Sequence, residues 1–284
     1  MKGKKSSKKK IVILGGGLSG MSAADRLLSE GHKVTVIEKK SYLGGLAASF
    51  EHNGRKIPMH YHHVFAHDYV TQSYLKRFAL FKDIVWKRIR MCILVNGRLY
   101  NFTDPFSLLG FDYLSFSARI RYAVFGAYVL FFMNPGKISD KLNARQWLNK
   151  AAGKEVTEKL FYHLQARNKF GIPLEKISAK QFAHRLKAGE AIGRFGYPKK
   201  GLQLMIERLE KTLDRRRCRI LKSARIENIE LKKKRIRFLH NNKTQTIDYD
   251  IVLNTIPVPE FLRIATGLSA DYKNKLKKIE YCPA

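Results

Sequence analysis

The chain has 284 residues, 45% of them apolar. That is enough to bury the core of one large domain or two ordinary ones, and too many for a disordered chain. Lysine and arginine outnumber aspartate and glutamate by 55 to 23, a net charge of +32. The three cysteines, Cys92, Cys218 and Cys282, stand far apart. They point to neither a disulfide framework nor a metal knuckle and fit a reducing cytoplasm.

Nucleic acid, an anionic membrane surface or an acidic substrate would each answer such a charge, and so would plain solvated lysine faces. No nucleic-acid recognition motif or interleaved aromatic–basic pattern is present, which disfavours nucleic acid. Six of the first ten residues are lysine, and residues 1–9 read as a disordered basic arm. The apolar run behind the arm is four residues long, too short for the core of a signal peptide.

Ile11 to Leu14 predicts a buried strand, Leu18 to Glu30 a helix ended by Gly31, and Val34 to Ile37 a second strand that stops at Glu38. Between the first strand and the helix lie Gly15, Gly17 and Gly20, the spacing of a dinucleotide-binding turn. Gly15 turns the chain off the strand, Gly17 lets a pyrophosphate approach the backbone, and Gly20 lets the helix pack close to the sheet. Leu18 and Ser19 sit at the helix start, where unpaired N–H groups and the helix dipole favour an anion. Glu38 has the spacing of the acid that bonds a ribose hydroxyl, which disfavours a 2′-phosphate.

Asn53-Gly54 predicts a hairpin within 47–58. His60, His62, His63 and His67 fall within eight residues, but their spacing matches no helical zinc site and no cysteine is near. Tyr69 to Phe81 has helical spacing. Ile84 to Arg90 and Met91 to Val95 read as strands, Asn96-Gly97 as a turn, and 101–105 as a loop. Residues 106–133 are the most apolar. Their uncharged core, 122–133, is shorter than the roughly 20 residues a membrane span needs. A buried helix is expected there, and an interfacial patch flanked by Arg119, Arg121 and Lys137 is the alternative. Helices are expected at 141–150, 154–164, 178–190 and 202–214. Strands follow at 218–221 and 226–231, then a hairpin about Asn241-Asn242, and a last buried strand at 250–254.

The Gly44-Gly45 pair, one turn-rich segment after Glu38, resembles flavin enzymes of the amine oxidase, phytoene desaturase and protoporphyrinogen oxidase superfamily. Further segments are similar in the same order: Tyr61-His62-His63 through Asp68, Gly97-Arg98-Leu99-Tyr100, Lys169-Phe170-Gly171, Gly196-Tyr197 with Gly201, and Thr255-Ile256-Pro257. Lys200 departs from the pattern, standing where the family has a second glycine. The His segment is also similar to that of UDP-galactopyranose mutases. The resemblance implies an α/β fold. It consists of a Rossmann-like FAD-binding domain of the GR2 type (10–58 and 196–284) with an inserted, largely helical α+β substrate domain (59–195). It implies FAD rather than NAD, with Gly15, Gly17, Leu18, Ser19, Gly20, Glu38, Lys39, Gly44, Gly45, Leu46, Ile226 and Thr255 in contact with it. His63 and His62 would face the substrate side of the flavin, where a group titrating near neutrality can move a proton.

In the resembled family the chain continues into further strands and a Gly-Asp segment that closes on the flavin. The expected architecture is therefore C-terminally incomplete, with a second chain as one source of the remaining contacts. The expected function is a FAD-dependent oxidoreductase that removes hydride from a C–N or C–C bond of a small or amphipathic substrate. One alternative is a non-redox flavin-dependent nucleotide-sugar mutase. The other is a truncated, non-catalytic chain that binds a membrane or a partner. A cytoplasmic location is expected, with peripheral contact to an anionic membrane at its inner face.

Overall fold

The structure is a computed structural model that describes residues 7–88, 90, 92–101, 105–188, 193–199, 201–279 and 281; for 105 and 164–170 it describes the backbone. The contacts divide the chain into two compact units. The first comprises 1–63, 70–84 and 198–280, and the second 64–69, 85–197 and 281–284. Segment 70–84 thus groups with the dinucleotide fold, although the sequence reading assigns it to the substrate domain. Lys200 and Cys282 lie outside the described residues.

The first unit is α/β and is built on strand β1 (Lys10–Leu14), helix α1 (Leu18–Ser29) and strand β2 (Lys33–Ile37). These strands and the strands Arg219–Leu221 and Ile251–Asn254 form one parallel sheet with β1 and β2 at its centre. Ile11, Val12, Ile13 and Leu14 are all buried. A continuous apolar run suits a strand covered on both faces. Val12, Leu14 and Ile37 share one core with Ile229, Ile236 and Phe238 of an antiparallel meander. The meander strands are Arg225–Glu230, Arg235–His240 and Lys243–Asp248. Asn241 and Asn242 both take positive φ and form the two-residue turn between the last two, where the hairpin is expected.

Three expectations in this unit are corrected. The last strand is not buried, since Ile251 and Leu253 are exposed. It pairs with β1 along one side and stands at the edge of the sheet among the described residues. The helix expected over 69–81 ends at Arg77, because Ala79 enters the left-handed region at φ 55°. The amides of Ala79 and Leu80 close the helix on the carbonyls of Lys76 and Leu75. Lys9 is expected within the basic arm. It is fixed instead, its N–H donating to His32 Nδ1 and its carbonyl accepting from Lys33; residues 1–6 lie outside the described residues.

The second unit is mainly helical. Phe111, Leu114, Phe125, Leu148, Phe161, Leu174 and Phe182 pack into its core. Asn143 and Ser178 cap the helices Ala144–Ala151 and Ala179–Lys187 by accepting from Gln146 and Gln181 amides. The helix expected over 154–164 runs on to Phe170 and takes the wider π form from Thr157. The backbone of 167–170 therefore belongs to this helix and stops at Gly171, φ 63°. Hairpin Cys92–Val95/Arg98–Asn101 forms about Asn96-Gly97 as expected. The expected loop residues 102–104, and residues 89 and 91, lie outside the described set.

Segment 106–133 forms the expected helix, but only one side of it is buried. Helix Phe116–Ala127 continues as a π turn, Tyr128–Phe132. Phe125, Val129 and Met133 are buried, yet Phe116, Val124, Phe131 and Phe132 are exposed. A helix apolar all round can bury only the side that meets the core.

Candidate dinucleotide site

The site forms where β1 ends. Gly15 takes φ 100° and donates its N–H to Ile37 O at 2.9 Å, which ties the turn to the end of β2. Gly17 is the N-cap of α1, and the first helical bond is from Met21 N to Gly17 O, 2.9 Å. The N–H groups of Leu18, Ser19 and Gly20 precede that bond, and no side chain caps the helix. A Cβ on Gly17 would meet nothing nearer than Gly45 Cα at 3.9 Å. The helix start therefore has an open approach and donors aimed into it, which suits a pyrophosphate.

Each neighbouring glycine is small for a different reason. A Cβ on Gly20 would stand 2.1 Å from Gly15 O, so this glycine sets how closely α1 crosses β1. A Cβ on Gly44, which has φ 106°, would stand 2.6 Å from Ile206 Cδ1. Gly44 N donates to Gly16 O at 2.8 Å, and a Cβ on Gly45 would lie 3.1 Å from Gly17 Cα. The second glycine pair thus lies backbone to backbone on the first.

Glu38 closes the same corner. Its Oε2 accepts from Gly16 N at 2.6 Å and its Oε1 from Lys40 N at 2.8 Å. A carboxylate has about four lone-pair positions, so two bonds leave room for a ribose hydroxyl. Glu38 N donates to Leu221 O and Glu38 O accepts from Ala224 N, which sets the strand carrying Ile226 beside it. Thr255 Oγ1 donates to Leu14 O at 2.7 Å and lies 3.3 Å from Gly15 O, bracing the turn from behind.

The structure therefore gathers Gly15, Gly17, Leu18, Ser19, Gly20, Glu38, Gly44, Gly45 and Thr255 at one corner. Lys39 and Leu46 are exposed beside it, Leu46 by 71%. Ile226 is half-buried against the meander core. His62 and His63 belong to the same unit and are half-buried. His62 Nδ1 lies 2.7 Å from His60 O, and the His63 ring is 5.2 Å from that of Tyr61. Among the described residues no group of three or more His, Cys, Asp or Glu side chains is placed to hold a metal.

Sequence reasoning missed three supports. Leu43 stands against Gly16 and Ile206 against Gly44, and only the apolar character of Leu43 next to Gly44 hints at this. The third is Asp25 of α1, which is buried and bonded to Arg77 Nη1 at 2.5 Å, Arg77 Nη2 at 3.1 Å and Arg216 Nη1 at 3.0 Å. Burial pushes the Asp25 carboxyl up, but the Arg77 hydrogen bond and the charges of Arg77 and Arg216 outweigh it and hold it below the usual range. No local pattern joins residues so distant in sequence.

Residues 18–284 match the family model of flavin-containing amine oxidoreductases. An uncharacterised Methanocaldococcus jannaschii protein, MJ1488, is 23% identical over 263 residues, 90% of this chain and 60% of that protein. The zeta-carotene desaturase of Arabidopsis thaliana is 30% identical over 139 residues, 49% of this chain and 23% of the desaturase. Among solved structures, reduced UDP-galactopyranose mutase superposes with a TM-score of 0.69 at 19% identity, covering 96% of this chain and 62% of the mutase. That likeness shows the fold, an α/β architecture of the FAD-binding amine oxidase type. The chain spans about three-fifths of the archaeal relative and of the mutase. FAD is the cofactor of this group of proteins. On the match over nearly its whole length, the chain belongs to the family of flavin-containing amine oxidoreductases.

Proposed function

We propose that the chain belongs to a FAD-dependent oxidoreductase that takes hydride from a C–N or C–C bond of a small or amphipathic substrate. The observation that carries this is the open, side-chain-free start of α1 with Gly45 laid against Gly17. Gly17, Leu18, Ser19 and Gly20 present amides to the pyrophosphate, and Gly15 shapes the turn. Glu38 keeps its brace on Gly16 and turns its remaining lone pairs to a ribose hydroxyl. Lys39, Ile226 and Thr255 border the adenosine half, while Gly44, Gly45 and Leu46 line its far side. When bound, the flavin ring supplies the hydride acceptor. His63, with His62 beside it, faces the substrate side and holds or moves a proton there.

A second chain that supplies further flavin contacts is part of the proposal. So is a cytoplasmic location. No helix among the described residues is long and apolar enough to cross a membrane.

Purified protein mixed with FAD and passed through a desalting column tests the reading. Retained visible flavin absorbance, reduced in Gly17→Ala, is the expected result. A chain that retains ADP and FAD no better than Gly17→Ala does would refute it. The mutase likeness gives a second arm. Conversion of a nucleotide sugar with reduced flavin and no electron acceptor would replace the oxidoreductase reading.

A further inference from the structure

We propose that the outward face of helical segment 116–132 is a docking surface for an anionic lipid bilayer. Phe116, Ile120, Val124 and Tyr128 recur every fourth residue, so they form one ridge, and Phe131 and Phe132 extend it. These six side chains are between 45% and 79% exposed, while Ala118, Phe125 and Val129 on the opposite side are buried in the core. Arg119 bonds the carbonyl of Leu109. That bond holds the short turn Pro105–Gly110, with exposed Phe106 and Leu109, next to the ridge. An exposed apolar patch of this extent marks an interaction surface.

Charge selects the occupant. Residues 105–138 contain one acid, Asp112, and it is already engaged by Arg98 at 2.8 Å and by Tyr100. Cations border the ridge. Lys187 Nζ donates to Leu130 O at 2.7 Å, and Arg121 and Lys137 are exposed. A second copy meeting this face about a two-fold axis would bring the same cations together, in a chain of net charge +32. An anionic bilayer accepts the apolar ridge and neutralises the cations. At about 1.5 Å per residue the helical segment is roughly 25 Å long, short of a span and suited to lying in the interface. The proposal does not depend on the flavin reading, since vesicle binding is measured without flavin.

The test is co-sedimentation of the whole chain with phosphatidylcholine vesicles, with and without phosphatidylglycerol. The parent is expected to sediment with the anionic vesicles and to be weakened by salt, because added ions screen surface attraction. Phe131→Ser/Phe132→Ser is expected to bind about tenfold or more weakly, and Phe131→Leu/Phe132→Leu to keep most of the binding. Both side chains are exposed, so the fold should survive. Near-ultraviolet dichroism of Trp147, packed 5.7 Å from Phe125, checks that it does. Equal binding by the serine variant and the parent would overturn the proposal, because charge alone would then explain it. A parent that stays in the supernatant would overturn it too, as would a dimer that the serine variant makes monomeric.

Discussion

Glu38 Oε2 lies 2.6 Å from Gly16 N, so the residue that ends the second strand braces the glycine turn that ends the first. The acid expected on the ribose is therefore also a structural acceptor. Its removal should be felt without any ligand. Glu38→Ala is expected to cost about 1–2 kcal/mol, because two backbone donors lose their partner. Glu38→Gln, which can still accept one bond, should cost less. Thermal melts with and without FAD check both, and a larger loss with FAD present would show that the same carboxylate also serves the ligand.

Gly17→Ala and Gly20→Ala separate binding from folding. A Cβ has open space at Gly17, where φ is −70°, so the melting temperature should barely move while flavin retention falls. At Gly20 the new atom would stand 2.1 Å from Gly15 O. Backbone must then shift, and a cost of about 2 kcal/mol or more is expected from that overpacking. A calorimetric melt beside a flavin-retention assay reads the two effects.

Asp25 predicts an acid limb for the first unit. Its folded pKa is depressed, so its contribution is fully present above the unfolded value near 3.9 and is lost as pH falls through the folded value. Stability should drop below about pH 4, and Asp25→Asn should flatten that part of the curve. Arg77 and Arg216 are 37% and 41% exposed, so the loss near neutral pH should be about 2 kcal/mol, below the ~3–5 of a fully buried pair. Denaturant titrations at several pH values measure it.

Glu155 should give the second unit its own acid dependence. It accepts from Ser115 Oγ at 2.6 Å and Ser115 N at 2.9 Å, next to Lys159 Nζ at 3.0 Å. Those bonds, the Ser115 hydroxyl first, lower its pKa to about 2. Its contribution is present above the ordinary carboxylate range and is lost as pH falls through about 2. Glu155→Gln should destabilise the start of helix Phe116–Ala127 at neutral pH. Amide exchange at Ser115 would rise in the variant.

Thiol labelling should distinguish two cysteines. Burial pushes the Cys218 thiol up to about 12, and its Sγ lies 3.6 Å from Val34 O. Cys92 is exposed. An alkylating reagent at mildly alkaline pH should mark Cys92 and leave Cys218 unmodified until the protein unfolds, as peptide mass mapping would show.

The local parts of the site were legible because each has a short-range cause. Gly15, Gly17 and Gly20 are read from spacing, and the hairpin turns at Asn53-Gly54 and Asn96-Gly97 from residues that accept positive φ. Over residues 106–133 the sequence leaves a buried helix and an interfacial patch both open, because apolar content tells how much surface seeks cover, not how much the neighbours provide. The last strand was misread for the same reason. Ile251 and Leu253 look like core, and only the sheet order shows them at an edge.

The sequence by itself determined the βαβ unit and the acid that follows it, since these depend on glycine geometry and periodicity within some forty residues, and its ordered motifs from Gly44-Gly45 to Thr255-Ile256-Pro257 carry the resemblance to the family. Only the tertiary structure decided that Glu38 holds Gly16, that Gly45 lies on Gly17, that Thr255 locks Leu14, and that Asp25 ties α1 to Arg77 and Arg216. Those contacts join residues whose distance along the chain carries no local signal. The first three form only when the parallel sheet brings the ends of separate strands to one corner, and the last only when α1 meets the helix ends that carry Arg77 and Arg216.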